Sequence, residues 1–496
     1  MQPYFSKHRL PPQAIALSRE LEEVGYELEY LQNLQAEVEE RQVLIKREIN
    51  AYSAPILHLP SEMTLEIFTT YLSGISWDHL ASGQSLSVSQ TPLLFGRICN
   101  AWRELAWSTP ILWSSIQLDL MEYRVTPLDP ALVEQWLVRS GTSPLSICVV
   151  SDQGRVPAFE SSTWPILKLV ARHAERWRNA ALKLPLYLYD PIIFIKGRLP
   201  SLQCLRLSFE DKYDRRIQLG TFSVAPRLSD FCLTGSNLPH FVLTTNQLTK
   251  LTLRGIDAGA CLDMLRRSPN VTHCAIQYVF HVGTVRNTLA PHLETLELSC
   301  SASSETISNI FDSLNIPAAR NISCRGQLEG DFPHSHFISL ISRSSCSLQQ
   351  LSLANLVITH HHILECLQAV PSLRSLSLQA LLIPSDMVFR MLTRHSLDAG
   401  IPPLVPNLEI FECRDDTCPL DFAILADFLS SRSRGWHRND DTVDPLTIPR
   451  PTAKLQSVII EHKECGVPNA HVSAALHILV EEGMEISLVA APGTRL

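Results

Sequence analysis

The chain has 496 residues, 45% hydrophobic, 19% charged and only 7% aromatic, with a formal net charge of −8. Such a balance excludes a disordered chain and predicts two or three folded units, or one long array, around an aliphatic core. No Lys/Arg run exceeds a pair, as at Arg215–Arg216 and Arg266–Arg267, which with the net negative charge disfavours a nucleic-acid partner.

The 13 cysteines are odd in number, spread from Cys99 to Cys465 and never in C-x-x-C spacing. They read as free thiols in a reducing compartment. The first residues lack an apolar leader core, and no stretch reaches the ~18 apolar residues that span a bilayer. The expected location is cytoplasmic, nuclear or both, with no membrane partner.

Residues 14–50 predict one long helix. Leu17, Val24, Leu31, Val38 and Ile45 alternate with Leu21, Leu28, Gln35, Gln42 and Ile49 at intervals of four and three, the seam of a coiled coil. Glutamates crowd its flanks, and Gly25 costs about 1 kcal/mol relative to alanine. The seam fits self-association, a partner helix, or a helix folded back on its own body. Pro55 ends this segment.

A compact helical stretch follows at 55–116. Pro60 suits a helix start. Met63, Ile67 and Tyr71 form one row, and Leu65, Phe68 and Leu72 an adjoining one. Residues 73–92 read as a polar loop. Helical periodicity then resumes with Leu94, Ile98, Trp102 and Leu105 on one stripe, up to Thr109-Pro110.

From about residue 140 to 496 a phrase L-x-x-L-x-L recurs. It starts at Leu202, Leu228, Leu248, Leu293, Leu348 and Leu373, in degraded form at Val271, and more loosely at Leu408 and Leu455. The 55 residues between Leu293 and Leu348 fit two repeats around a poor copy near Ile322. The period is that of leucine-rich repeats, in which a short strand and a helix bury their apolar faces against neighbouring units. The predicted class is α+β or α/β, as an irregular leucine-rich-repeat-like solenoid. A polar loop insertion is expected at 431–451.

Residues 55–116 resemble the F-box, and especially the F-box-like module common in fungal proteins. The resemblance rests on Leu59-Pro60, Glu62, Ile67-Phe68, Ile98-Cys99, Trp102-Arg103, Leu105-Ala106 and the S-T-P-x-L-W run ending at Trp113. A coiled coil before the box and repeats after it match the same organisation. The resemblance implies a substrate-recognition adaptor of a cullin-RING (SCF-type) ubiquitin ligase. Such a protein docks a Skp-type adaptor through the box and an unknown target through the repeats, and does no chemistry itself. Leu59, Pro60, Met63, Ile67, Phe68 and Trp102 are the candidate adaptor contacts. The alternative is an interaction scaffold using the coiled coil and repeats outside any ligase.

No nucleotide-binding, hydrolase or metalloprotease motif is present, so no catalytic residue and no cofactor is assigned. His360-His361-His362 with Glu365 and Cys366 is the one cluster of metal-ligating types. It sits where a repeat helix should begin and has no second ligand pair, so it reads as a solvated helix start and no metal is assigned. Because strand side chains alternate, the residues flanking the phrase's leucines share the opposite, concave face. They include Arg206, Lys250, Thr252, Arg254, Thr295 and Glu297, then Ser352, Ser377, Glu412 and Glu461. The early repeats are basic and the late ones more acidic. Arg206, Lys250, Thr252, Arg254 and Glu297 are the candidate target contacts, for acidic or phosphorylated groups.

Overall fold

A computed structural model describes residues 12–73, 91–120, 129–151, 160–209, 218–235, 240–241, 243–279, 285–299, 304–326, 330–381, 383–393, 404–415, 420–433, 453–462 and 470–490. They form two compact units, one ending at Trp113 and the other starting at Ser114.

The first unit is helical. Helix α1 (Pro12–Ser53) has 42 residues and is therefore roughly 63 Å long. A single turn at Pro55–His58 leads to α2 (Ser61–Ser73). Two short helices follow, α3 (Leu93–Ile98) and α4 (Asn100–Ser108), then a turn at Pro110–Trp113. The single stripe expected through Leu94, Ile98, Trp102 and Leu105 is thus broken. Cys99 takes extended angles (φ −153°, ψ 169°), and its Sγ accepts the Trp102 amide at 3.4 Å as the cap of α4. A sulfur cap satisfies one of the donors that any helix start leaves open.

The core of this unit is aromatic. Phe68 is wholly buried and stacks on Phe95 at 3.8 Å between centroids, 7° from parallel. Trp102 meets Phe68 edge-on at 5.0 Å, and Trp113 donates its ring N–H to the Ala106 carbonyl at 2.7 Å. Gly96 lies against the Trp107 ring, and a Cβ built there would stand 2.2 Å from it. A residue without a side chain is required at that approach.

The second unit carries a 14-stranded, wholly parallel sheet whose strand order follows the chain. Its strands are β1 (Ser115–Asp119), β2 (Leu145–Val150), β3 (Trp177–Lys183), β4 (Cys204–Ser208), β5 (Asp230–Thr234), β6 (Lys250–Arg254) and β7 (His273–Gln277). They continue as β8 (Thr295–Ser299), β9 (Asn321–Arg325), β10 (Gln350–Ala354), β11 (Ser375–Gln379), β12 (Ile410–Asp415), β13 (Ser457–His462) and β14 (Glu485–Ala490). The sheet therefore begins at Ser115 and not near residue 140. Ile116 is a buried residue of β1, not the tail of the helical module. Before Leu202 the strands lack the L-x-x-L-x-L phrase, so their shared register shows only in three dimensions.

The central leucine of each phrase occupies one column. Leu205, Phe231, Leu251, Cys274, Leu296, Ile322, Leu351, Leu376, Phe411 and Val458 are register partners from strand to strand, and none is more than 1% exposed. Burying one such side chain contributes about 1.5–3 kcal/mol. Ile322 takes its place in that column, so the poor copy is a full strand. Helices α5 (Pro130–Arg139), α6 (Glu160–Ala171), α7 (Ala258–Arg267), α8 (Ser304–Ser313), α9 (His334–Ser344), α10 (His360–Gln368), α11 (Ser385–Leu392), α12 (Phe422–Ser433) and α13 (Ala470–Glu481) connect strands. Their apolar faces join the strand leucines in one continuous core.

Three arginines tie helix ends together. Arg176 donates to the carbonyls of Ser140 and Ser143 just beyond α5. Arg343 donates to Phe311 and Leu314 at the end of α8. Arg432, fully buried, donates to Leu392, Leu404 and Val405 beyond α11 at 2.7–2.9 Å. A guanidinium satisfies several orphan carbonyls at once, and its charge suits the negative end of a helix. Arg432 and Ser433 thus belong to a buried helix end, not to the polar loop expected from 431; residues 434–451 of that loop lie outside the described residues.

Candidate functional sites: an apolar helix face and a basic hollow

The two units each present one surface of interest. In the first, α2 divides its apolar residues between two faces. Thr64 and Phe68 point inward and are buried. Met63, Ile67 and Tyr71 point outward, at 56%, 43% and 50% exposure, and Leu59 and Pro60 are exposed just before the helix. Of the six candidate adaptor contacts, the structure therefore places Leu59, Pro60, Met63 and Ile67 on a free apolar face. Phe68 instead lies wholly buried, as the stacked centre of the module's own core. Trp102 is half-buried with its ring edge on Phe68 and Phe95, so it too serves the module's interior. The sequence row Leu65, Phe68, Leu72 did not reveal which of two apolar rows faces inward, because both have helical spacing.

Helix α1 keeps its seam uncovered. Leu17, Leu21, Val24, Leu28, Leu31, Val38, Ile45 and Ile49 are each 50–74% exposed. Toward its end, Arg47 reaches Asn100 at 3.4 Å.

In the second unit, the face opposite the leucine column carries a hollow of about 580 Å³. Arg206, Lys250, Thr252, Arg254 and Glu297, all five candidate target contacts, line it, joined by His273 and Gln277. Thr252 is 8% exposed and forms part of the floor. Arg206, Cys232, Thr252, Ala275 and Glu297 share one cross-strand row, and Lys250 and Arg254 stand two residues to either side of Thr252. Burial pushes the Cys232 thiol up, against the pull of the nearby Arg254 and Arg206 charges. Burial likewise raises Cys274 to about 12, so neither thiol is a ready nucleophile. None of the cysteines of the described residues forms a disulfide. His273, which the sequence reading passed over, is register partner to Lys250 and exposed; its signal was its place as the first residue of a degraded repeat strand.

Two acidic residues further along are engaged by neighbours. Glu412 accepts from Ser377 at 2.8 Å and Gln379 at 2.9 Å, and Glu461 pairs with Arg414 at 3.7 Å. By contrast, Lys250 and Arg254 form no ion pair among the described residues, and Arg254 Nε is buried without a hydrogen-bond partner there. Glu412 and Glu461 are thus held by neighbours, whereas Lys250 and Arg254 carry no ion pair among the described residues.

The histidine run opens α10, where Thr359 Oγ1 caps the His362 amide at 3.3 Å. His362 stacks on His334 at 3.7 Å, and His334 meets Glu365 at 3.2 Å. Among the described residues no group of three or more His, Cys, Asp or Glu is arranged to hold a metal ion. None of their helices is long and apolar enough to cross a membrane.

No family model matches the chain, and no curated protein matches it. Among known structures, a chain from the crystal structure of a Rad7 and Elc1 complex in yeast aligns with 97% of this chain and 98% of its own length, at 10% identity and a TM-score of 0.34. A superposition at that score does not establish a common fold.

Proposed function

We propose that this chain is the substrate-recognition adaptor of a cullin-RING ubiquitin ligase. It docks a Skp-type adaptor through α2 and holds its target on the basic face of a leucine-rich-repeat-like solenoid. The carrying observation is the outward apolar row of Leu59, Met63 and Ile67 on a module whose own core is already closed by Phe68 and Phe95. An apolar helix row laid into a partner's groove is a standard mode of helix recognition. The chain itself does no chemistry in this reading, and its site is cytoplasmic or nuclear. The test is co-expression of the full chain with a Skp-type adaptor and cullin: both should co-purify with it. An interaction scaffold outside any ligase shares α1 and the sheet face, and would leave both behind.

The same reading gives α1 a pairing role. Its alternating seam asks for another helix, and a second copy supplies one of matching length. Removing residues 12–50 should lower the mass measured by light scattering from that of an oligomer to that of a single chain. An unchanged mass sinks self-association through this helix.

A further inference from the structure

The cations of the open sheet face stand in register. From β3 to β12 one cross-strand row near the strands' C-terminal ends runs Lys183, Ser208, Thr234, Arg254, Gln277, Ser299, Arg325, Ala354, Gln379, Arg414, and it continues through Val150 to Asp119 on one side and to Glu461 on the other. The ten strands from β3 to β12 place no acidic residue in this row, although the whole chain carries a net charge of −8. A cation recurs at every third strand. Adjacent strands lie about 4.8 Å apart, so successive cations stand roughly 14 Å apart.

Two members matter most. Arg254 opens into the hollow beside Arg206 and Lys250. Arg325 is exposed, and neither Arg254 nor Arg325 forms an ion pair among the described residues. Arg414 is partly offset by Glu461. The neighbouring row holds Glu297 at the rim of the hollow, and Glu412, which Ser377 and Gln379 already occupy.

We infer that this face binds an extended acidic polypeptide segment running across the strands, one of its carboxylates or phosphates meeting Arg254 in the hollow and another meeting Arg325. An extended chain advances about 3.3 Å per residue. The 14 Å interval therefore selects anionic residues about four positions apart. Arginine holds either anion through paired hydrogen bonds. The inference rests on the target-binding assignment of this face and adds the partner's chemistry and spacing.

The test uses the full chain without any adaptor, so its outcome is independent of ligase docking. Fluorescent 16-residue peptides with Ser, Thr and Pro spacers, which disfavour helix, would carry three glutamates either four apart or adjacent. A third peptide would carry phosphoserines four apart. Titration at low ionic strength avoids screening. The four-spaced peptides should bind about tenfold more tightly than the clustered one. Arg254→Glu and Arg325→Glu should each weaken the four-spaced peptides by about tenfold, with unchanged melting curves. Tighter binding of the phosphoserine peptide would identify phosphate as the favoured anion, and equal binding would identify charge alone. No binding, indifference to spacing or to both substitutions, or tighter binding of a single-stranded oligonucleotide with the same residue dependence would overturn the inference.

Discussion

Ile67→Asp is expected to abolish capture of a Skp-type adaptor by the full chain while leaving its melting behaviour close to that of the parent. Ile67 is 43% exposed, so a carboxylate there stays hydrated in the free protein. In a docked complex the same carboxylate is buried without a partner, at a cost of several kcal/mol, or a loss of more than about a hundredfold in affinity. Phe68→Asp makes the informative contrast. Phe68 is completely buried between Phe95 and Trp102, so that variant should lose the helical module itself. Far-UV circular dichroism beside the binding assay separates the two outcomes. Adaptor capture retained by folded Ile67→Asp would remove α2 as the docking face.

Arg432→Leu should be the most damaging single change in the strand–helix unit. The guanidinium supplies the donors for the buried carbonyls of Leu392 and Val405 and for the half-buried carbonyl of Leu404. Leucine fills much of the space and supplies no donor. Each buried carbonyl left unmet costs about 1–3 kcal/mol, so a loss of roughly 3–5 kcal/mol follows if neighbours relax in part. The readout is the midpoint of urea unfolding of this unit. Lysine at 432 keeps the charge but lacks the planar fork, and should recover only part of the loss. A midpoint unchanged in Arg432→Leu would show that these carbonyls find other donors.

The sheet was legible where each strand repeats its phrase. Leu205, Leu251, Leu296 and Leu376 were placed by period alone, and their registers are uniform. It was illegible where strands are made of other apolar residues. Ile116, Ile147 and Ala180 are column members without the phrase, so the start of the sheet was put too late. Arg432 was misread for a related reason. A polar residue at the head of a polar run looks solvated, and only the fold brings three orphan carbonyls around it. At α2 both apolar rows have the same helical spacing. The stacking of Phe68 on Phe95, some thirty positions away, is what turned one row inward and left Met63 and Ile67 outside. The hollow was different: alternation along each strand sufficed to gather Arg206, Lys250, Arg254 and Glu297, because period two fixes the face once a strand's leucines are buried.

Docking of a Skp-type adaptor on α2 is read by amide hydrogen exchange on the full chain, with and without the purified adaptor. New protection should concentrate in residues 55–73, over the helix that carries Met63 and Ile67, with the strands of the sheet unchanged. Binding that protects only α1 or the sheet, or no binding at saturating adaptor, would contradict docking on α2.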